Sequence, residues 1–469
     1  MPELPEVETV VKTLRPLMVN KTVKDIQIFH AAMVKPNVEE FKKALIGKSI
    51  QSIQRLGKFI LLFFTNDIVV ISHLRMEGKY IEAENASIPL SRFARLVFVF
   101  ENGTRLIYDD MRKFGTFELT NQATYLQHPS LRSLGQEPIH ALDPKPIHQL
   151  FHHANRPIKS LLLDQRILLG IGNIYADEIL YASKIHPLTL GRDISLTQTS
   201  TILKHAREIL NQAIEDGGTR IRTYASGQKI DGEFITKIKV YGKTGKVCIR
   251  CHHRIDKVIV GGRGTHYCPR CQHHPQFPFV IGVTGEIATG KSTLLQVGKS
   301  LGIPSIEADT LVHAFYQTKS AVQFLKKIFP ESIVKEKIDR AILLKQMLIN
   351  PKRYEQWIKI LFPIIKKTIY EKLLKSKAKV ILLEVPLLFQ GEIDAFTDVV
   401  VGVESTRAMQ LKRLKRRNPS TADALIVLNE RNQYRDYLSF VDERLVNIHN
   451  LTTWKKLVKK TLYVYLKKI

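Results

Sequence analysis

Residues Gly285-Glu286-Ile287-Ala288-Thr289-Gly290-Lys291-Ser292 constrain the fold more than any other stretch of this chain. They match G-x-x-x-x-G-K-S at every fixed position. An apolar run, Phe279–Val283, precedes them, and a helix-like run, Thr293–Leu301, follows. A glycine-rich turn between a buried strand and a helix start turns its N–H groups toward phosphate. The lysine then meets the outer phosphates and the serine reaches magnesium. Gly285, Gly290, Lys291, Ser292 and Thr293 are the candidate ATP ligands, with Mg2+ as companion ion. Pro304–Glu307, Val380–Glu384 and Val399–Val403 read as further strands, and long amphipathic stretches lie between Asp309 and Lys377. That alternation predicts a parallel α/β domain over residues 279–469, with its site beyond the strand C-termini.

The 469 residues leave room for further domains before it. All four cysteines fall between Cys248 and Cys271, as Cys248-x2-Cys251, sixteen residues, then Cys268-x2-Cys271. Two close pairs make two tight knuckles suited to one tetrahedral zinc, and four cysteines leave no position open for water, so the zinc is structural. The absence of other cysteines argues against a disulfide-built secreted protein. No positive-then-apolar leader is present, and the longest apolar runs are strand length. A soluble cytoplasmic protein is expected, with no membrane association and no obligate protein partner. The net charge of +27 favours polyanionic partners, nucleic acid first, although a lysine-rich composition alone would also produce it.

The first half opens Met1-Pro2-Glu3-Leu4-Pro5-Glu6-Val7. Without Met1, the chain begins with the secondary amine of Pro2. An α-amine has a pKa of about 8, so part of it is neutral and nucleophilic near pH 7. Glu3 is the nearest group able to move a proton. Pro5 can start a helix that continues through Val19. From Thr22 to Phe100 the text is strand-like, with Ile26–Ile28, Phe59–Phe64, Ile68–Ile71 and Leu96–Phe100 as β-rich runs, turns at Asn66-Asp67 and Asn102-Gly103, and a short helix over Glu39–Leu45. Ile158–Gly217 is helical, including a long helix from Thr197 to Asp216. His148, His152 and His153 have no partners at ligand spacing and are taken as surface or packing residues.

These residues resemble a known family. PELPEVE at the start, Asp110-Met111-Arg112-Lys113-Phe114-Gly115, Gly170-Ile171-Gly172-Asn173-Ile174-Tyr175 through Glu178, and the cysteine hairpin are together similar to bacterial formamidopyrimidine-DNA glycosylase over Pro2–Gln272. The resemblance implies excision of oxidised purines from damaged duplex DNA, with nicking of the abasic site through a Pro2 Schiff base. It implies a catalytic domain over 1–131, a helix-two-turn-helix domain over 132–232, a zinc finger over 233–272 and a join at 273–278. Lys58 would act at the active site. Met76 would fill the gap left by the flipped base, Arg112 would pair the orphaned cytosine and Phe114 would insert between bases. Lys159, Asn173 and Arg263, at the tip of the finger hairpin, would grip phosphate. Arg92 and Arg95 stand where the family has lysine and two histidines, keeping cationic contacts to DNA without the imidazoles. In the loop that would close over the extruded base, Arg220 and Thr223 replace the family's threonine and aspartate.

The C-terminal part resembles dephospho-CoA kinase. Glu307-Ala308-Asp309 stands for an acidic D-A-D with Asp309 as base, Val385-Pro386-Leu387-Leu388-Phe389 fits well, and Gln410, Arg413, Arg416 and Arg417 resemble a phosphate-embracing lid. Asp442 and Asn447 echo a late strand and base contact. ATP and dephospho-CoA are the implied partners. Phe362 in place of histidine, Glu307 and Gln390 depart from the pattern on the acceptor side. The whole-chain expectation is a bifunctional enzyme. The alternatives are a repair enzyme with a decayed kinase domain and a damage-binding protein that does not cut.

Overall fold

The computed structural model describes residues 2–85, 87–219, 232–417 and 438–467. Its backbone groups into two units. One holds residues 1–246 and 255–267, the other residues 247–254 and 268–469.

In the first unit, the opening helix runs Leu4–Met18. It is capped by a reciprocal pair in which the Glu3 side chain takes an N–H of the first turn and Glu6 takes the Glu3 N–H. Its buried face, with Val7, Val10, Val11 and Leu14, joins one core with residues from two sheets. The first sheet is antiparallel, in the order Val23–Ile28, Ala94–Phe100, Arg105–Asp109, Lys79–Ala83. The second has the order Val34–Lys35, Thr116–Asn121, Ile68–His73, Phe59–Phe64, Ile50–Leu56. Asn66 and Asp67 both have positive φ, 64° and 59°, which matches the twist of a two-residue hairpin between the Phe59 and Ile68 strands. The strands at Ile50 and Lys79 fall inside the stretch read as strand-like without being named as runs, and those at Arg105 and Thr116 lie beyond it. Each mixes charged or hydroxyl residues into the apolar text, and pairing with a neighbour defines them better than their own pattern does.

A second core follows, built on the helices Pro144–His152, Ile158–Leu162, Asn173–Ala182 and Leu196–Glu215. Ser195 and Gln198 form a capping box on the last of these. The hairpin Asp256–Val260 and Arg263–Tyr267 belongs to this unit.

In the second unit, a five-stranded parallel sheet has the order Ser305–Glu307, Val380–Glu384, Phe279–Thr284, Val399–Glu404, Glu443–Val446. Helices supply one apolar cluster around Leu325, Trp357 and Ile369 and another around Leu294, Trp454 and Leu462. The mixed architecture expected from sequence is present: β-rich, then helical with a four-cysteine cluster, then parallel α/β. The four cysteines lie with the second unit, whereas the hairpin between the pairs lies with the first. Among the described residues, no helix is long and apolar enough to cross a membrane.

Phe117 is fully buried and meets Phe41, Tyr80, Phe98 and Tyr108 edge-on. Phe117→Ala should cost about 3–5 kcal/mol by transfer loss and cavity formation, measured by urea unfolding followed by circular dichroism.

Candidate functional site

Pro2 lies at the wall of a cavity of about 940 Å³, shared with Glu6, Met76, Met111, Ile174 and Thr219 among others. Behind it, the Glu3 carboxylate accepts N–H bonds from Gly172 at 2.7 Å, Ile174 at 2.8 Å and Tyr175 at 3.4 Å. These are free donors at the start of the Asn173–Ala182 helix, whose dipole favours a negative group there. Gly172 has to be small, because a Cβ there would sit 2.3 Å from the carboxylate carbon of Glu3. Burial pushes the Glu3 carboxyl up to about 7, with Lys58 acting against burial and Glu6 reinforcing it. Burial lowers the Lys58 ammonium below its usual range, and that ammonium donates to the Ile171 carbonyl at 2.8 Å. Lys58, a sequence candidate, is thus beside the N-terminal residues and lies within electrostatic reach of Glu3.

Glu6 was not among the candidates, yet it organises the same site. One carboxylate oxygen accepts the Tyr175 hydroxyl at 2.8 Å and the Thr219 N–H and hydroxyl at 2.9 and 3.0 Å, and the other accepts the Glu3 N–H at 2.9 Å. The three-residue spacing of Glu3 and Glu6 ahead of an apolar run was the available signal. His73 was also missed. Burial depresses its imidazole to about 3, and its Nδ1 accepts the Arg75 N–H.

The other DNA-contact candidates divide. Met76 and Phe114 are exposed apolar side chains at 38% and 56%, as a wedge and an inserted ring require. Arg112 is half-exposed and paired with Glu77 at 3.2 Å. Arg92 lies exposed against the Phe93 ring. Arg95 is spent on carbonyls of its own domain, donating to Asp110 at 2.9 Å. Arg263 is exposed on the hairpin. Asn173 donates to the Gly264 carbonyl at 3.0 Å, and its buried Oδ1 has no partner among the described residues. Lys159 is placed otherwise than expected for a phosphate contact. Its ammonium is fully buried, 2.6 Å from Asp177 and 2.8 Å from the Thr265 hydroxyl. Asp177 also accepts the His266 N–H at 2.8 Å. Lys159 therefore ties the hairpin to the Asn173–Ala182 helix, a task that a buried cation with a buried partner performs. Arg220 and Thr223 lie outside the described residues.

The four cysteine sulfurs lie within 4.8 Å of one another, with Cys251–Cys268 at 3.4 Å and Cys248–Cys271 at 3.9 Å. Tetrahedral zinc with Zn–S bonds of about 2.3 Å places its sulfurs about 3.8 Å apart, so the donor set fits zinc.

In the second unit, Gly290, Lys291, Ser292, Thr293, Arg413 and Arg416 line a cavity of about 610 Å³ together with Asn447 and Trp454. Gly285 and Gly290 hold positive φ, 157° and 116°. Lys291 donates to the Gly285 and Glu286 carbonyls at 2.9 and 3.1 Å and lies 3.7 Å from Glu384. Arg413 donates to the Ala288 and Thr289 carbonyls at 3.0 and 3.2 Å. Asp309 is exposed in the first turn of the helix Ala308–Tyr316. Glu384 was missed by the sequence reading. It closes the buried strand beside the phosphate loop, and burial raises its carboxyl to about 7, with Asp309 and Glu307 adding repulsion and Lys291 opposing them.

With this geometry in place, comparison with known proteins identifies the family. Residues 1–117 match the formamidopyrimidine-DNA glycosylase N-terminal domain, 134–225 its H2TH domain, and 245–273 the zinc finger found in FPG and IleRS. A formamidopyrimidine-DNA glycosylase of Bacillus cereus is 43% identical over 275 residues, covering 58% of this chain and 99% of the relative. One from Streptococcus pneumoniae is 41% identical over 273 residues, with the same coverage. The chain belongs to the formamidopyrimidine-DNA glycosylase family. Residues 279–452 match dephospho-CoA kinase, so the family's domains are fused here to a C-terminal dephospho-CoA kinase domain. Among solved structures, a Lactococcus lactis FPG mutant in complex with Fapy-dG-containing DNA is similar at 40% identity and a TM-score of 0.56. It covers 58% of this chain and 100% of the other. The L. lactis protein in complex with abasic-site DNA is similar at 39% identity and a TM-score of 0.55.

The Glu3 shift has a thermodynamic consequence. The folded state holds this proton between the unfolded pKa of 4.5 and about 7, where the unfolded chain has released it. Stability should therefore fall as pH rises through that window, by an amount of order 1–3 kcal/mol. Urea unfolding at stepped pH should show this loss in the native chain and not in Glu3→Gln.

Proposed function

We propose that the first unit excises oxidised purines from duplex DNA and cleaves the resulting abasic site. The observation that carries this reading is the placement of Pro2 at the cavity with Glu3, titrating near neutrality, buried behind it. In this reading the Pro2 nitrogen attacks C1′, the C1′–base bond breaks, and the amine loses its proton as the sugar opens to an iminium. The iminium acidifies the adjacent sugar protons, and their loss expels the flanking phosphates in turn. Glu3 moves the protons. Met76, Arg112 and Phe114 occupy the helix gap, while Arg92, Asn173 and Arg263 contact the backbone. The titles of the L. lactis complexes, with Fapy-dG and abasic-site DNA, support this substrate class. Zinc supplies the fold of the knuckles and no chemistry. Borohydride trapping on duplex DNA carrying 8-oxoguanine should give a covalent adduct at Pro2. An adduct at Lys58, or none, would remove the assignment. Arg263→Ala should lower the salt slope of DNA binding by about one unit.

The C-terminal domain, in the same proposal, binds ATP through Gly285–Thr293 with Arg413 and Arg416 and phosphorylates dephospho-CoA. Ser292 would hold Mg2+, and Asp309 would deprotonate the acceptor hydroxyl. Support comes from the cavity at the loop and from the acidic group of Asp309 and Glu384 beside Lys291. The full chain, given Mg2+, ATP and dephospho-CoA, should form CoA, and both Lys291→Ala and Asp309→Asn should abolish it. ATP binding without CoA formation in the native chain would contradict the kinase reading.

A further inference from the structure

We propose that the C-terminal unit, through Asp394, holds the four-cysteine centre together, so that zinc retention and the stability of that unit are one linked property. The centre is distributed over two knuckles, Cys248–Cys251 and Cys268–Cys271, that are sixteen residues apart in sequence. Something must hold the two pairs at bonding distance when the metal is exchanging. The side chains around them show what does so.

In the first knuckle, the Cys248 N–H is bonded to the His253 carbonyl at 2.7 Å. The His253 Nδ1 lies 3.0 Å from an Asp394 carboxylate oxygen. Both side chains are almost fully buried. In the second knuckle, Arg270 sits between the two cysteines and reaches the same Asp394 oxygen at 4.0 Å and Asp442 at 3.1 Å. Just past Cys271, His273 meets Asp398 at 3.0 Å. One buried carboxylate therefore faces both knuckles, and two further carboxylates fix the second.

Asp398 and Asp442 are anchored in the parallel sheet, and Asp394 opens the short helical turn Asp394–Phe396 that leads into its Val399–Glu404 strand. The Asp394 carbonyl accepts the Thr397 hydroxyl at 2.8 Å, Asp398 accepts the Val280 N–H at 2.7 Å, and Asp442 accepts the Val400 N–H at 2.7 Å. A buried carboxylate held this way has a fixed position and needs its partners, since an ion left alone in a low-dielectric interior is costly. The dependence runs both ways. Knuckles that lose their metal lose the geometry that presents His253 and Arg270, which leaves Asp394 without compensation. An Asp394 side chain that is removed frees each knuckle from the other. The Arg254–Glu392 pair at 2.8 Å is exposed and contributes little.

The chain contains two tryptophans, Trp357 and Trp454, and both are buried in the C-terminal unit. Their fluorescence therefore reports that unit alone in the full chain. Withdrawing zinc with a chelator should move the tryptophan melting transition down by about 4 °C or more. In the zinc-loaded full chain, Asp394→Ala should release zinc to a chromophoric chelator at least ten-fold faster than native, and Arg270→Ala several-fold faster. Glu392→Gln should release it at the native rate. A tryptophan transition unmoved by zinc withdrawal would overturn the proposal, as would native release rates in Arg270→Ala and Asp394→Ala. Equal acceleration in Glu392→Gln would overturn it too, by assigning the effect to surface charge in general. If Asp394→Ala fails to fold, the withdrawal experiment and Arg270→Ala decide.

Discussion

The bond between the Glu3 carboxylate and the helix start at Gly172, Ile174 and Tyr175 is the contact on which the first unit's chemistry depends. It joins the third residue of the chain to a helix about 170 positions later. Without it, Pro2 would be held only through the Leu4–Met18 helix behind it, whose Leu4 N–H bonds the Gly170 carbonyl at 3.1 Å. Burial of the Glu3 carboxyl raises its pKa to about 7, while the N–H bonds from Ile174 and Tyr175 pull it down. The placement of Pro2 and the raised pKa of Glu3 thus both follow from packing the N-terminal residues against the Asn173–Ala182 helix. Glu6 extends the anchor by binding Tyr175 and Thr219. The stability lost by burying these acids is of the kind active sites commonly bear.

A related arrangement fixes the finger hairpin. Asp177 stands one turn beyond the donors that hold Glu3 and binds Lys159 and the backbone of His266. One helix therefore holds the N-terminal residues at its start and the finger hairpin along its body. A shift of that helix would move Pro2 and Arg263 together, which under the proposed function keeps nucleophile and backbone clamp in register.

Much of this was legible because the relevant patterns are local. The four cysteines, the phosphate loop, the Pro2-Glu3 start and the strands at Phe59 and Val380 are contiguous, and spacing alone specifies them. What the sequence did not disclose depends on partners far apart in the chain. Lys159 looks like a surface cation until its companion, 18 residues on, is seen to be buried with it. Glu384 looks like the end of an apolar strand until Lys291 is found beside it. Asp394 is unremarkable in its local context, and only folding brings it to His253, 141 residues away. Edge strands such as Lys79–Ala83 escape for the same reason, because pairing defines them. Arg95 shows the limit of carrying a role over by position, since its guanidinium is engaged with local carbonyls.

The central claim is that the Pro2 nitrogen, as a free amine, does the covalent chemistry. Retaining Met1 converts that nitrogen to an amide and leaves every other side chain in place. Single-turnover cleavage of 8-oxoguanine duplex can be compared between chains with and without Met1, at matched DNA occupancy. The account predicts that the Met1-bearing form binds the duplex and does not cleave it, while the Pro2-terminated form cleaves. Equal cleavage rates for the two forms would contradict it.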